Sequence, residues 1–162
     1  NGAPHCDRCP VSSECIAYQR NDTTRLPLKK AKKQRTIEQH TVLILLHQNK
    51  VHLTKRPNQG LLADLYQFDF LEGYFTENEI KKYCGAFATM KRIEPLPASK
   101  HIFTHKEWHM QGWLAVIDDL KYENDIWCYQ HDLMHTYAIA SAFHIYKDIA
   151  LQALSGAKNN EL

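Results

Sequence analysis

Three cysteines, Cys6, Cys9 and Cys15, are crowded into the segment His5-Cys6-Asp7-Arg8-Cys9-Pro10-Val11-Ser12-Ser13-Glu14-Cys15. Their spacing, C-x2-C-x5-C, lets several thiolates converge on one metal centre. Three ligands do not close such a site. Zinc would need His5 or a distant residue as a fourth ligand, an iron–sulfur cluster would need another cysteine, and plain surface thiols would need nothing. Spacing alone leaves these three readings open. Cys84 and Cys128 stand singly among apolar or aromatic residues, where a small buried thiol is expected. An odd total of five cysteines, behind an N-terminus Asn1-Gly2-Ala3-Pro4 that lacks a signal-peptide pattern, argues against a disulfide framework.

Cations form a second group. Arg20, Arg25, Lys29, Lys30, Lys32, Lys33 and Arg35 lie within sixteen positions, opposed only by Asp22. Such a run can contact phosphates and release their counterions, or it can be a solvated tether. Lys29, Lys30, Lys32, Lys33 and Arg35 are the candidate phosphate contacts. The net charge of +2 does not by itself demand a nucleic-acid partner. His101, His105 and His109 recur every four residues, a helical spacing for metal ligands, but the residues around them are strand-like. Phosphate contact or loop-stabilising hydrogen bonds suit His105 better.

These groups must be positioned by a chain of 162 residues, 44% hydrophobic and 23% charged, which suits one ordinary domain plus a tail. No run approaches the ~18 apolar residues of a membrane helix, so a soluble, cytoplasmic protein is expected. Residues 1–20 read as a cysteine loop, 21–38 as a basic connector containing Pro27, and 39–162 as the globular domain.

Within that domain Thr41 to Leu46 is a continuous apolar run, expected to be a strand buried on both faces. It leads through Gln48-Asn49-Lys50 into an alternating second strand, forming a hairpin. Leu61 to Phe70 reads as a loop entering a short aromatic strand. Thr76 followed by Glu79 forms a capping box for a helix ending near Gly85. Lys100 to Ile117 reads as two strands around a tight loop at His105 to Glu107, and Ile126 to Tyr129 as an edge strand. Ile139, Ala142, Phe143, Tyr146, Ile149, Ala150 and Ala153 recur at helical spacing and predict a core-packing C-terminal helix. Strands mixed with two helices indicate an α+β sheet domain.

The cysteine spacing resembles the C-x6-C-x2-C-x5-C loop that holds a 4Fe-4S cluster in the MutY and endonuclease III families, with Cys6, Cys9 and Cys15 matching its last three cysteines. Lys55-Arg56-Pro57 and Gly60-Leu61-Leu62-Ala63-Asp64-Leu65-Tyr66-Gln67-Phe68 resemble the K-R-P-x-x-G-L-L-x-x-L-W-E-F segment of MutY C-terminal domains. Phe103-Thr104-His105 resembles their F-S-H loop. The chain departs from the pattern at Tyr66 (Trp), Gln67 (Glu) and Thr104 (Ser).

The resemblance implies the C-terminal region of a bacterial A/G-specific adenine DNA glycosylase, beginning inside the cluster loop. Its first cluster cysteine would fall two residues before Asn1. A 4Fe-4S cluster is therefore expected in the full-length parent and absent or incomplete in this piece. The fold implied is that of MutT, a Nudix-like domain with a mixed β-sheet and flanking helices. The implied partners are double-stranded DNA with an 8-oxoguanine·adenine mispair and the N-terminal catalytic domain of the same parent, with Phe103, Thr104 and His105 reaching the 8-oxoguanine. No catalytic residue of a glycosylase is expected here, so the piece alone should be inactive.

The competing reading is a degenerate Nudix-fold module that binds a nucleotide or a protein. The Nudix box, G-x5-E-x7-R-E-U-x-E-E-x-G-U with U apolar, holds Mg²⁺ with an acidic helix. Counted from Gly60, its first Glu falls on Tyr66 and no R-E-U-x-E-E follows, so diphosphate hydrolysis is not expected.

Overall fold

A computed structural model describes residues 3–26, 28, 34–120 and 126–157. The chain divides into two compact units, Asn1–Gln34 and Arg35–Leu162. In the first, two 3-10 turns, Cys6–Arg8 and Ser12–Glu14, lead into a one-turn helix, α1 (Ile16–Gln19).

The second unit is a sheet between helices. Its strands are β1 (Thr36–His47), β2 (Lys50–Lys55), β3 (Tyr66–Gln67), β4 (Asp69–Glu72), β5 (Ala88–Ile102), β6 (Lys106–Leu120) and β7 (Ile126–Cys128). Its helices are α2 (Glu77–Gly85), α3 (Gln130–His135) and α4 (His144–Ala157). The main strand order is β3-β2-β1-β6-β5, with β4 paired to β1 and β7 to β2. β1 and β6 run parallel while the other pairs are antiparallel, so the sheet is mixed.

The apolar run in β1 is buried because the sheet is covered on both sides. Leu43 and Leu45 pack with Ile80 and Cys84 of α2 and with Ala115 and Ile117. Val42, Ile44 and Leu46 face the other way, in a core with Met110, Leu114, Phe143, Tyr146, Ala150 and Leu154. The β1–β2 turn places Gln48 and Asn49 at φ 45° and 60°, the left-handed pair that a two-residue hairpin requires. Helix α2 opens with the capping box: Thr76 Oγ1 accepts from Glu79 N–H, and Glu79 Oε2 accepts from Thr76 N–H at 2.8 Å. Burial pushes both domain thiols, Cys84 and Cys128, up to about 12. Among the described residues no helix is long and apolar enough to cross a membrane.

Two expectations are corrected here. β5 starts at Ala88 rather than Lys100, and the tight loop is Phe103 to His105 rather than His105 to Glu107. Pro95 and Pro97 are tolerated within β5 because it is the edge strand and a register shift between Leu96 and Ser99 absorbs the irregularity. Helix α3, only six residues long, was not expected at all.

Tyr146 of α4 secures this bulge. Its hydroxyl accepts from Ser99 Oγ at 3.3 Å and lies 3.3 Å and 3.4 Å from the carbonyls of Pro97 and Met110. Gly112 makes the close approach possible, since a Cβ there would stand 2.5 Å from Tyr146 Cε1.

Candidate nucleic-acid interface

The loop joining β5 to β6 is closed by backbone. Phe103 N–H donates to the Lys106 carbonyl at 2.8 Å, and Thr36 N–H donates to the His105 carbonyl at 3.1 Å. Arg35 Nε donates to the Phe103 carbonyl at 3.1 Å. Phe103 turns inward and is half-buried, whereas Thr104 and His105 are exposed at the tip. The Thr104 hydroxyl has no hydrogen-bond partner among the described residues.

Beneath the loop stands Trp108, buried on β6. The Phe103 ring meets it edge-on at 4.8 Å and 71°. The Arg56 guanidinium lies over the same indole, 5.3 Å from its centroid. The indole N–H donates to Glu38 Oε2 at 2.9 Å. The Lys-Arg-Pro segment and the Phe-Thr-His loop, far apart in sequence, thus meet on one aromatic pillar. Sequence reading missed Trp108, Arg56 and Glu38 as site residues. The available signal was alternation, since Trp108 and Met110 both point into the core from β6.

Two carboxylates pair with the cations around the loop. Glu107 takes Lys100 at 2.7 Å, His109 at 3.3 Å and Arg35 at 3.4 Å. These partners, with the Lys100 hydrogen bond foremost, hold its pKa below the usual carboxylate range. Glu38 bonds Lys106 and the Trp108 indole, and the Lys106 hydrogen bond lowers it likewise. His40 stacks on Phe70 at 4.1 Å, and burial keeps it below its ordinary value against the raising pull of Glu38. The loop tip presents the exposed Thr104 and His105 above these paired charges. Arg35 is committed to Phe103 and Glu107, and Lys29, Lys30, Lys32 and Lys33 lie outside the described residues.

The three histidines do not form a helical ligand set. The register pairs His101 with Trp108 and Lys100 with His109, which sets His101 and His109 on opposite faces of the sheet. In the first unit, the 3-10 turns bring Cys6, Cys9 and Cys15 to one cavity of about 580 Å³, which His5 also lines. The donor types are those of a thiolate-ligated centre. Among the described residues, however, no three His, Cys, Asp or Glu side chains are grouped to hold one metal ion.

Helix α2 follows Gly73, not Gly60, which shifts the register for comparison with the Nudix box. From Gly73 the first Glu does fall on Glu79, but that carboxylate is folded back as the helix cap and Glu77 is paired with Lys81. The R-E-U-x-E-E positions then fall on Phe87-Ala88-Thr89-Met90-Lys91-Arg92, at and within the start of β5. The acidic Mg²⁺-holding face is missing in either register.

The sheet and its flanking helices define a Nudix domain: the NUDIX domain family model matches residues 40–148, and the chain belongs to that family. The MutT protein of Aliivibrio salmonicida and Vibrio cholerae shares the fold, with a TM-score of 0.52 at 13% identity over 73% of this chain and 99% of that one. More particularly, the chain is 31% identical over 116 residues to an adenine DNA glycosylase of Buchnera aphidicola subsp. Baizongia pistaciae, covering 70% of this chain and 32% of the relative. The C-terminal domain of mouse MUTYH, solved in complex with human PCNA, matches with a TM-score of 0.54 at 15% identity, over 77% of this chain and 91% of that one. The chain spans about a third of the length of the curated adenine DNA glycosylases it matches.

Proposed function

We propose that this chain is the lesion-recognising part of an adenine DNA glycosylase that removes adenine mispaired with 8-oxoguanine in base excision repair. The observation that carries the reading is the exposed Thr104 hydroxyl at the tip of a loop braced from below by Phe103 on Trp108. Its curated relatives, adenine DNA glycosylases, support it. Oxidation of guanine turns N7 from an acceptor into an N–H donor and adds a carbonyl at C8. A single hydroxyl can accept from the first and donate to the second, and guanine lacks that pair of groups. Adenine release itself belongs to a catalytic domain elsewhere in the parent, so this piece turns over neither mispairs nor nucleoside triphosphates. Lys29, Lys30, Lys32 and Lys33 contribute salt-dependent phosphate attraction, while Arg35 braces the Phe103 loop.

Thr104→Val keeps the β-branched shape and removes the hydroxyl. Loss of the hydroxyl, about 0.5–1.5 kcal/mol or roughly two- to twelvefold in affinity for each neutral hydrogen bond it makes, is expected for an 8-oxoguanine·adenine duplex, with a smaller effect on guanine·adenine. Thr104→Ser should retain most of the preference. Equal losses for both duplexes would make Thr104 a structural residue.

The cysteine loop belongs to the same proposal. Cys6, Cys9 and Cys15 supply three of four ligands to a 4Fe-4S cluster, the fourth being an upstream cysteine of the parent. Iron and sulfide analysis should find about four irons per full-length parent and little in this piece alone. Stoichiometric zinc without iron in the parent would refute the assignment.

A further inference from the structure

The loop between β2 and β3 carries Pro57, Asn58, Gln59, Gly60 and Leu61, all exposed, yet it is tightly tethered. Arg56 Nε donates to the Leu61 carbonyl at 2.9 Å, and the guanidinium also bonds Gln67 Oε1. Asp64 N–H donates to the Pro57 carbonyl at 3.1 Å, Arg56 N–H to the Leu65 carbonyl at 2.9 Å, and Lys55 pairs with Asp64 at 3.2 Å. These bonds hold the loop in a form that places Gly60, Leu62 and Asp64 at left-handed φ.

Arg56 is spent inward, on two protein acceptors and on the Trp108 ring that also supports Phe103. It is therefore poorly placed to be a phosphate contact. What the loop presents outward is two side-chain amides and a glycine with open space around it. Amides carry a donor and an acceptor side by side, the pattern that matches base edges, and glycine permits close approach of backbone to a nucleic acid.

We infer that the Pro57–Leu61 loop is a second nucleic-acid contact, engaging the duplex through Asn58 and Gln59, with Arg56 as the positioning residue that sets it beside the Phe103–His105 loop. The inference rests on the duplex-reading function proposed above. Trp108 gives the two loops one foundation, so a duplex seated on Thr104 meets the amides at a fixed offset.

The test uses the whole chain and a fluorescein-labelled duplex containing one 8-oxoguanine·adenine pair, read by anisotropy, with melting temperatures measured in parallel. The double variant Asn58→Ala with Gln59→Ala should weaken binding about three- to tenfold without changing the melting temperature. Arg56→Lys keeps the charge but cannot serve both acceptors and the indole, and should weaken binding to a similar degree. Combined with the double variant it should add little further, while Thr104→Val should multiply with either. Affinity within twofold of the unmodified chain for the double variant, alongside a loss in Thr104→Val, would overturn the second contact and leave the lesion reading standing. Additive losses for Arg56→Lys and the double variant would overturn the positioning role. Failure of the unmodified chain to bind the duplex would overturn both readings.

Discussion

Replacing Asp69 with Ala is expected to cost about 1–3 kcal/mol of stability, the usual loss when a buried hydrogen-bonding group is left without its partner. The Asp69 Oδ2 accepts from His52 Nδ1 at 2.7 Å, and the two residues are 9% and 6% exposed. The pair sits where the sheet divides. β1 pairs with β2 only at Leu46↔Val51 and His47↔Lys50, and then takes β4 as its partner from Leu43 to His40. His52 on β2 and Asp69 on β4 staple the strands on either side of that division, against Trp127 of β7 at 5.0 Å. The loss should appear as a lower urea midpoint and a melting temperature reduced by roughly 3–10 °C. Asp69→Asn, which keeps an acceptor, should cost less. A change below about 1 kcal/mol for Asp69→Ala would show that the pair contributes little beyond the hydrophobic contacts around it.

Trp108→Ala should combine a stability loss with a loss of recognition. Deleting a buried Trp side chain costs about 3–5 kcal/mol, and here it also removes the surface on which Phe103 and Arg56 rest. Leu154→Ala is the matched control. Leu154 is buried in the same core, on α4, and its truncation costs about 2–5 kcal/mol without touching either loop. Assayed well below both melting temperatures, Leu154→Ala should keep the preference for an 8-oxoguanine·adenine duplex and Trp108→Ala should lose it. Equal retention in both would mean that the loops hold their places without the pillar.

Much of the scaffold was legible because its signals are local. The β1–β2 hairpin follows from an apolar run, a two-residue turn and an alternating run, and α2 from Thr76 and Glu79 three positions apart. The C-terminal helix follows from the spacing of Ala142, Phe143, Tyr146 and Ala150, although its first turn is 3-10 from Ser141 to Phe143. What escaped depends on partners distant in the chain. Pro95 and Pro97 are compatible with a strand only because β5 is an edge, and edge position is a property of the sheet. Gly112 is a strand glycine whose reason lies thirty-four residues away in Tyr146. The Nudix register counted from Gly60 starts in a loop shaped by Arg56, whereas α2 follows Gly73.

The candidate site divides in the same way. The Phe103-Thr104-His105 loop was legible as a family-like motif, with its tip displaced by two residues. Its support was not. Trp108, Glu38 and Arg56 come from three strands or their ends, and nothing in the spacing of a Trp, a Glu and an Arg says that they will share one contact.

As proposed above, this domain tells 8-oxoguanine from guanine. That discrimination is tested most directly by titrating the unmodified chain, at one salt concentration, with two labelled duplexes identical except for 8-oxoguanine or guanine opposite the same adenine. At least about threefold tighter binding to the lesion duplex is expected, the worth of one added hydrogen bond. Equal affinity for the two duplexes would contradict it.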